Sequence, residues 1–162
     1  MQFHVLTLFV EAFQSPLDHS ILGKAQERGL ITVQLTDIRD YTHDAHGTAD
    51  DYQFGGGAGM VLKPEPVFEA VEDVLKPYSA SARANIPVIL LSPQGRLLNQ
   101  QLVDELSESS SLVIICGHYA GVDERIRSNL ITQEVSIGDY VLTGGELAAM
   151  VLIDALSRFT SG

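Results

Sequence analysis

The sequence predicts an α/β domain with a mostly parallel sheet and helices on both faces of it. Three nearly continuous runs of Val, Ile and Leu indicate buried strands: "IPVILLSPQG" from Ile86, "SLVIICGHYAG" from Ser111 and "EVSIGDYVLTGG" from Glu134. The helical patterns "NQQLVDELSES" and "DERIRSNL" separate them. Strands that are covered on both faces are apolar along their whole length, so this order favours parallel strands.

The upstream half of the chain supplies further elements in the same alternation. The segments "FHVLTLF" and "ITVQLTDIR" are typical of strands, with "SILGKAQERG" as a helix between them. A second helix is predicted in "KPEPVFEAVEDVLKPY", with Pro64 and Pro66 near its start and Pro77 near its end. We expect "SASARAN" and "SESSS" to be surface loops.

The segment from Arg39 to Met60 has neither a helical nor a strand period and contains many turn-forming residues. Loops of this length are uncommon in compact domains and are usually functional or mobile. We therefore expect a long loop here that is functional or mobile.

Composition limits the class of protein. A chain of 162 residues that is 45% hydrophobic suits one domain with a sizeable core. Its net charge of −11 argues against an autonomous nucleic-acid binder, which normally presents a basic face. Cys116, the one cysteine, lies in the apolar run "LVIICG" and is predicted to be a buried structural residue. Since neither a signal peptide nor a membrane span is recognisable, we expect a cytoplasmic chain without membrane contact.

The stretch "SIGDYVLTGGELAAMVLIDALSRF", Ser136 to Phe159, joins a short strand to a long apolar helix through a glycine pair. Thr143 and Glu146 have the spacing of a capping box, and we expect the helix to begin directly after Gly144 and Gly145. In α/β folds this position lies at the carboxyl edge of the sheet, where ligands usually bind. The alternative is a tight turn that only connects the two elements.

Several familiar sites are disfavoured. His43 and His46 have an H-x-x-H spacing that matches no strong zinc signature. The glycine cluster that ends at Gly59 lacks the G-x-G-x-x-G order, and neither a P-loop nor a G-x-S-x-G motif occurs. Dinucleotide binding, P-loop nucleotide hydrolysis and nucleophile-elbow chemistry therefore find no support.

What remains is a set of three segments at predicted strand ends, Ser92–Gly95, Gly117–Gly121 and Ser136–Gly145. They offer main-chain donors and aliphatic walls with few basic residues. Such a pocket suits an adenosine-like group better than a polyphosphate. The alternative is that they are three ordinary loops.

Four motifs, in this order and spacing, carry a resemblance to a known family: "DDYQFGGGAGMVLKPEP", "LSPQGR", "CGHYAGVDERI" and "SIGDYVLTGGELAAMVLIDALSRF". The chain resembles the bacterial tRNA (guanine-37-N1)-methyltransferases, members of the SPOUT superfamily. The resemblance implies that residues 1–162 form a trefoil-knot α/β core that binds S-adenosyl-L-methionine. It also implies methylation of N1 of guanine 37 in tRNA, with tRNA and a second copy of the chain, in a homodimer, as partners. Any role of Mg²⁺ stays open.

The same resemblance implies which residues bind the methyl donor. They are Leu91, Pro93, Gly95, Gly117, Ser136, Ile137, Gly138, Asp139, Tyr140, Val141, Leu142, Gly144 and Gly145. Ala120 departs from the family pattern, in which a Glu is usual, and this change bears on donor affinity.

For the reaction, Arg158 matches the family's catalytic arginine, and its alternative role is an ion pair with Asp154 on a helix surface. Lys24, His46 and Asp50 match positions near the tRNA, and for each the alternative is an ordinary surface residue. The family's general base and its basic tRNA-binding domain are expected beyond Gly162. The alternative function is a regulatory α/β module that binds a nucleotide without catalysis.

Overall fold

The computed structural model describes residues 1–53, 56, 58–118 and 120–160 of the chain. Within them the strands are β1 (Gln2–Thr7), β2 (Thr32–Asp37), β3 (Asp50–Tyr52), β4 (Met60–Leu62), β5 (Val88–Leu97), β6 (Ser111–Cys116) and β7 (Gln133–Ser136). Five of these form one sheet in the order β2-β1-β6-β5-β7, in which every pair of neighbours is parallel. The other two, β3 and β4, pair as an antiparallel hairpin.

The helices lie between these strands, except the last helix, which follows β7. They are α1 (Gln14–Leu17), α2 (Ser20–Glu27), α3 (Pro64–Leu75), α4 (Ala80–Arg83), α5 (Gln100–Ser107), α6 (Glu124–Asn129) and α7 (Glu146–Ser157). Two 3₁₀ turns, at Val10–Phe13 and Ile38–Tyr41, follow β1 and β2. Among the described residues, none of the helices combines the length and the hydrophobicity of a membrane span.

The strand β6 shows why the predicted runs are apolar throughout. All six of its residues are buried. Leu112 and Ile114 belong to a core with α2, α5 and α7, whereas Val113 and Ile115 belong to a second core with α3 and α6. Because both faces of the sheet are covered, neither side of the strand can be polar. The predicted α/β class, with a parallel sheet and helices on both faces, is confirmed.

The prediction of a loop at "SPQG" is wrong, because β5 continues through this segment to Leu97. Its pairing with β7 shifts register between Leu91 and Arg96. A shift of this kind bends the strand without ending its hydrogen bonding. Gly95 lies so close to β7 that an added Cβ would stand 2.5 Å from the main chain of Glu134 and Val135.

The segment from Arg39 to Met60 contains more regular structure than predicted. Besides the 3₁₀ turn, the hairpin of β3 and β4 lies at its carboxyl end. The strand Asp50–Tyr52 is mostly exposed, and it therefore lacks the apolar pattern by which a strand is recognised. Gly55 and Gly57 of the predicted glycine cluster lie outside the described residues.

The segment "SASARAN", expected to be a surface loop, contains the helical turn α4, in which no residue is buried. The side chain of Ser79 accepts a hydrogen bond from the N–H of Ala82 and caps this turn. A single capped turn has no apolar face, so hydrophobic periodicity could not indicate it.

Candidate functional site

A cavity lies where the carboxyl ends of the neighbouring strands β5, β6 and β7 meet. All three segments predicted to converge contribute to it, as do residues on either side of them. The wall is formed by Leu90, Leu91, Ser92, Pro93, Gln94, Gly117, His118, Ala120, Gly121, Val122, Arg127, Val135, Ser136, Ile137, Gly138, Tyr140, Val141, Leu142, Thr143, Gly144, Gly145 and Ala148. The three segments therefore converge on one cavity, as predicted.

Most of the predicted donor-binding residues line this cavity, and two do not. Gly95 packs against the main chain of β7, as described above. Asp139 is the second residue of the predicted set that is not part of the wall. Tyr119, which belongs to the middle segment, lies outside the described residues.

The loop between β7 and α7 is held by its own hydrogen bonds. The hydroxyl of Ser136 accepts from the N–H of Gly138 at 3.2 Å and donates to the Gly138 carbonyl at 2.9 Å. An added Cβ at Gly138 would collide with the ring of Tyr140. Tyr140, Val141 and Leu142 are nevertheless exposed, Val141 to 83%. Three consecutive exposed apolar side chains beside a cavity are typical of a binding site.

The helix α7 begins after the glycine pair, as predicted, but the capping box is wrong. Gly145 is the N-cap, and no side chain caps the helix. Glu146 is the first helical residue, and its carboxylate binds Thr7 and His118 instead. The Glu146 side chain, which the local spacing predicted to cap the helix, is thus bound by residues from other parts of the chain.

The two glycines make room for different neighbours. A Cβ at Gly144 would overlap the ring of His118 and the carboxylate of Glu146. A Cβ at Gly145 would lie 2.8 Å from the Cα of Cys116, and the Gly145 N–H donates to the Gly117 carbonyl at 3.0 Å. The glycine pair therefore lets the loop after β6 and the start of α7 pack closely, which shapes the cavity wall.

Arg127 lines the cavity and was not anticipated, since it lies on α6 and outside the three segments. Its Nε donates to Glu134 Oε1 at 2.9 Å, and Glu124 lies 3.9 Å away. These carboxylates balance its charge, so the wall remains poor in free positive charge. A second cavity adjoins the first, and both are lined by Ala120, Val122 and Arg127.

Cys116 is fully buried at the end of β6, as predicted. Burial, and then the nearby carboxylate of Glu146, raises the pKa of its thiol well above the usual value. A thiol that stays protonated is a poor nucleophile. Its environment therefore agrees with the structural role.

No group of three or more metal-ligating side chains occurs within the described ranges. His43 binds Glu69, with Nε2 at 2.8 Å from Oε1, and Asp44 binds Thr48 instead of a neighbouring histidine. A zinc site of three protein ligands thus has no ligand set in that part of the chain.

The residues predicted to act on tRNA lie apart from the cavity wall. Lys24 is exposed in the last turn of α2, and His46 is exposed in the loop before β3. Asp50 begins β3 and pairs with Leu62. Arg158 is the exposed C-cap residue of α7, and no ion pair with Asp154 forms between these two described residues.

Comparisons with known proteins agree on one family. Residues 1–162 match the family described as "tRNA (Guanine-1)-methyltransferase TrmD". Proteins named tRNA (guanine-N(1)-)-methyltransferase from Dehalococcoides mccartyi and Carboxydothermus hydrogenoformans are 57% and 53% identical over the whole chain. The chain spans 64% and 61% of the lengths of these two relatives.

A solved structure shows the same fold. The tRNA (m1G37) methyltransferase from Aquifex aeolicus superposes with a TM-score of 0.88 at 40% identity, over 100% of this chain and 71% of that one. This match confirms the expected SPOUT-type fold class.

Proposed function

We propose that this chain, which belongs to the tRNA (Guanine-1)-methyltransferase family, is the donor-binding core of a methyltransferase. The enzyme transfers a methyl group from S-adenosyl-L-methionine to N1 of guanine 37 in tRNA. The observation that carries the proposal is the convergence of three glycine-containing segments on one cavity at the sheet edge. Ligands of open α/β sheets bind at this edge.

The wall of the cavity suits an adenosine group joined to an amino acid. Aliphatic residues such as Leu91, Val135 and Leu142 offer apolar surface, and the glycine segments offer main-chain groups. We assign donor binding to the predicted residues that line the wall. Gly95 contributes indirectly, because its lack of a side chain lets β5 approach β7.

When bound, S-adenosyl-L-methionine supplies an electrophilic methyl group. The acceptor, guanine N1, carries a proton at neutral pH, so a general base must remove that proton. The N1 atom itself must be held in line with the methyl group and the sulfur that it leaves. We propose that the exposed Arg158 contacts the guanine, and that Lys24, His46 and Asp50 contact the tRNA. The general base is expected in the segment by which the relatives exceed this chain.

The helix α7 carries exposed apolar residues that a second copy of the chain could cover. On α7, Leu147 is 60% exposed and Val151, one turn later, is 46% exposed. Apolar residues four apart form a stripe on one side of a helix, and such a stripe is normally covered. We therefore propose that α7 lies at the interface of a homodimer that works on tRNA in the cytoplasm.

Donor binding and transfer are tested separately. Calorimetry should show that the chain binds S-adenosyl-L-methionine in preference to ATP and NAD. A preference for either nucleotide would favour a regulatory module and contradict the proposal.

Transfer is measured with radiolabelled donor and unmodified tRNA. The chain alone is compared with a fusion that carries the carboxy-terminal part of the Dehalococcoides mccartyi relative. We expect the fusion to be faster by about 10²–10⁴-fold, the usual contribution of a positioned general base. Equal rates would place the base within residues 1–162, with Asp50 and Asp139 as the next candidates.

A further inference from the structure

A buried chain of hydrogen bonds lies behind the cavity wall. The hydroxyl of Thr7 donates to Glu146 Oε1 at 2.6 Å and accepts from the N–H of Phe9 at 3.0 Å. His118 Nε2 lies 2.7 Å from both carboxylate oxygens of Glu146. Thr7 is fully buried and Glu146 is 7% exposed. One carboxylate thus joins the end of β1, the loop after β6 and the first turn of α7.

The three members of this chain differ in their relation to the cavity. His118 is part of the wall, whereas Thr7 and Glu146 are not. Any effect of Thr7 or Glu146 on a bound ligand must therefore pass through another residue. The contact of Glu146 with His118 supplies that route.

Burial makes the carboxylate dependent on its partners. A buried charge is costly unless it is paired and hydrogen-bonded, and loss of one partner leaves the cost uncompensated. At the first position of α7, Glu146 is also favoured by the unpaired N–H groups of the helix start. The position of this carboxylate is therefore well determined, and so is the position of the His118 ring that it binds.

The His118 ring is confined on other sides as well. The ring of Phe9 lies 4.9 Å from it, tilted by 55°. The guanidinium of Arg39 lies 5.3 Å from the centre of the Phe9 ring. Gly144 leaves the space that the ring and the carboxylate occupy. Little room remains for another orientation of His118.

We propose that Glu146, supported by Thr7, is a positioning residue for the donor site. It holds the His118 ring, and with it the Gly117–His118 part of the wall, in the conformation that binds the donor. The inference rests on the proposed function, because it concerns the affinity of the chain for S-adenosyl-L-methionine.

The test replaces Thr7, which does not touch the cavity. Thr7→Val keeps the shape of the side chain but removes the hydroxyl, and Thr7→Ser keeps the hydroxyl. Tyr78→Phe is the matched control, since it removes a hydroxyl bound to His4 and Ser111 in a cluster that does not line the cavity. For each variant, calorimetry gives the Kd for S-adenosyl-L-methionine, and thermal unfolding gives the Tm.

We expect Thr7→Val to raise the Kd about tenfold, an effect typical of losing a hydrogen bond to a charged group. Thr7→Ser should bind within about twofold of the original chain. Tyr78→Phe should keep its affinity even where its Tm falls as far as that of Thr7→Val. NMR of ¹⁵N-labelled histidine should show the His118 signals shifted in Thr7→Val and the His4 signals shifted in Tyr78→Phe.

The outcomes separate the inference from the function it rests on. If the unaltered chain does not bind S-adenosyl-L-methionine, the proposed function fails and the inference fails with it. If the unaltered chain binds it and Thr7→Val binds equally well, the inference alone is overturned. An equal loss in Tyr78→Phe would assign the effect to general stability, which also overturns it. If Thr7→Val does not fold, Glu146→Gln decides by the same measurements, again with an expected Kd about tenfold higher.

Discussion

Gly144 and Gly145 are neighbours in the chain, yet the structure needs a glycine at each for a different reason. A Cβ at Gly144 would overlap two side chains, His118 and Glu146. A Cβ at Gly145 would meet the main chain of Cys116 and Gly117, at 2.8 and 3.1 Å. A Cβ at Gly144 would therefore disturb the hydrogen bonds between His118 and Glu146, whereas a Cβ at Gly145 would push on the main chain of a buried strand end, which cannot move without disturbing the sheet.

This difference gives a prediction for the two alanine variants. Gly144→Ala should displace His118 and weaken binding of S-adenosyl-L-methionine about tenfold, with a loss of about 1 kcal/mol in the free energy of unfolding. Gly145→Ala should lower the free energy of unfolding by about 3 kcal/mol, since it overpacks the core. Calorimetry and urea denaturation measure the two quantities. Each variant is the control for the other, and a larger loss of stability in Gly144→Ala would contradict the assignment.

At the scale of elements, the segment between β2 and β3 is tied to α3 by polar contacts. The Tyr41 hydroxyl donates to Asp73 Oδ2 at 2.7 Å, and burial, together with that carboxylate, raises the pKa of Tyr41 to about 12. Further along, His43 binds Glu69. The predicted tRNA contacts His46 and Asp50 follow these two attachments in the chain, so α3 limits where the segment can lie.

The His43 attachment should depend on pH. Its hydrogen bond to Glu69, and then the negative charge of that carboxylate, raise the pKa of His43 above the usual value of about 6.5. A raised pKa in the fold means that the contact stabilises most below the usual value and weakens as the pH rises through the raised one. Because the pair is exposed, the effect is local to the segment.

The measurement is an NMR titration of the His43 ring. In Glu69→Gln the pKa of His43 should return toward its usual value. The matched control is Glu72→Gln. It removes the same charge from the exposed side of α3, but His43 contacts Glu69 and not Glu72. An unchanged His43 titration in Glu69→Gln would show that the contact does not form in solution.

At the scale of the whole molecule, the chain is acidic and several of its cations are already paired. The net charge is −11, and Arg96, Arg125 and Arg127 each bind a carboxylate. A polyanion such as tRNA is bound mainly through free basic groups, so the described surface is a weak RNA-binding surface by itself. Because a second copy of the chain is equally acidic, we propose that the segment present in the longer relatives supplies the remaining contacts.

The proposed dimer can be tested by a single substitution on α7. The substitution Val151→Lys places a charge in the exposed apolar stripe of α7, where burial of an unpaired ammonium is strongly unfavourable. Light scattering at micromolar concentration should report twice the chain mass for the original sequence and one chain mass for the variant. Tyr52→Lys, at the exposed hairpin, is the control and should remain dimeric. A monomeric original chain would contradict the proposed interface.

The amino-acid sequence was sufficient to predict the fold class, the chain order of the five strands of the parallel sheet and the burial of Cys116. Strands buried on both faces of a parallel sheet are continuous apolar runs, and amphipathic helices repeat apolar residues about every 3.6 positions. Both patterns can therefore be recognised in the amino-acid sequence. It also determined which three segments meet at the cavity, because the carboxyl ends of parallel strands share one edge.

The polar contacts that shape the site could be found only in the folded structure. Thr7 and Glu146 are 139 positions apart in the sequence, and His118 and Glu146 are 28 apart. The same holds for the hairpin at Asp50–Tyr52 and for the continuation of β5 through Ser92–Gly95. A hydrogen bond between distant polar groups, or a strand held only by its pairing, depends on the partner and leaves no periodic pattern in the chain.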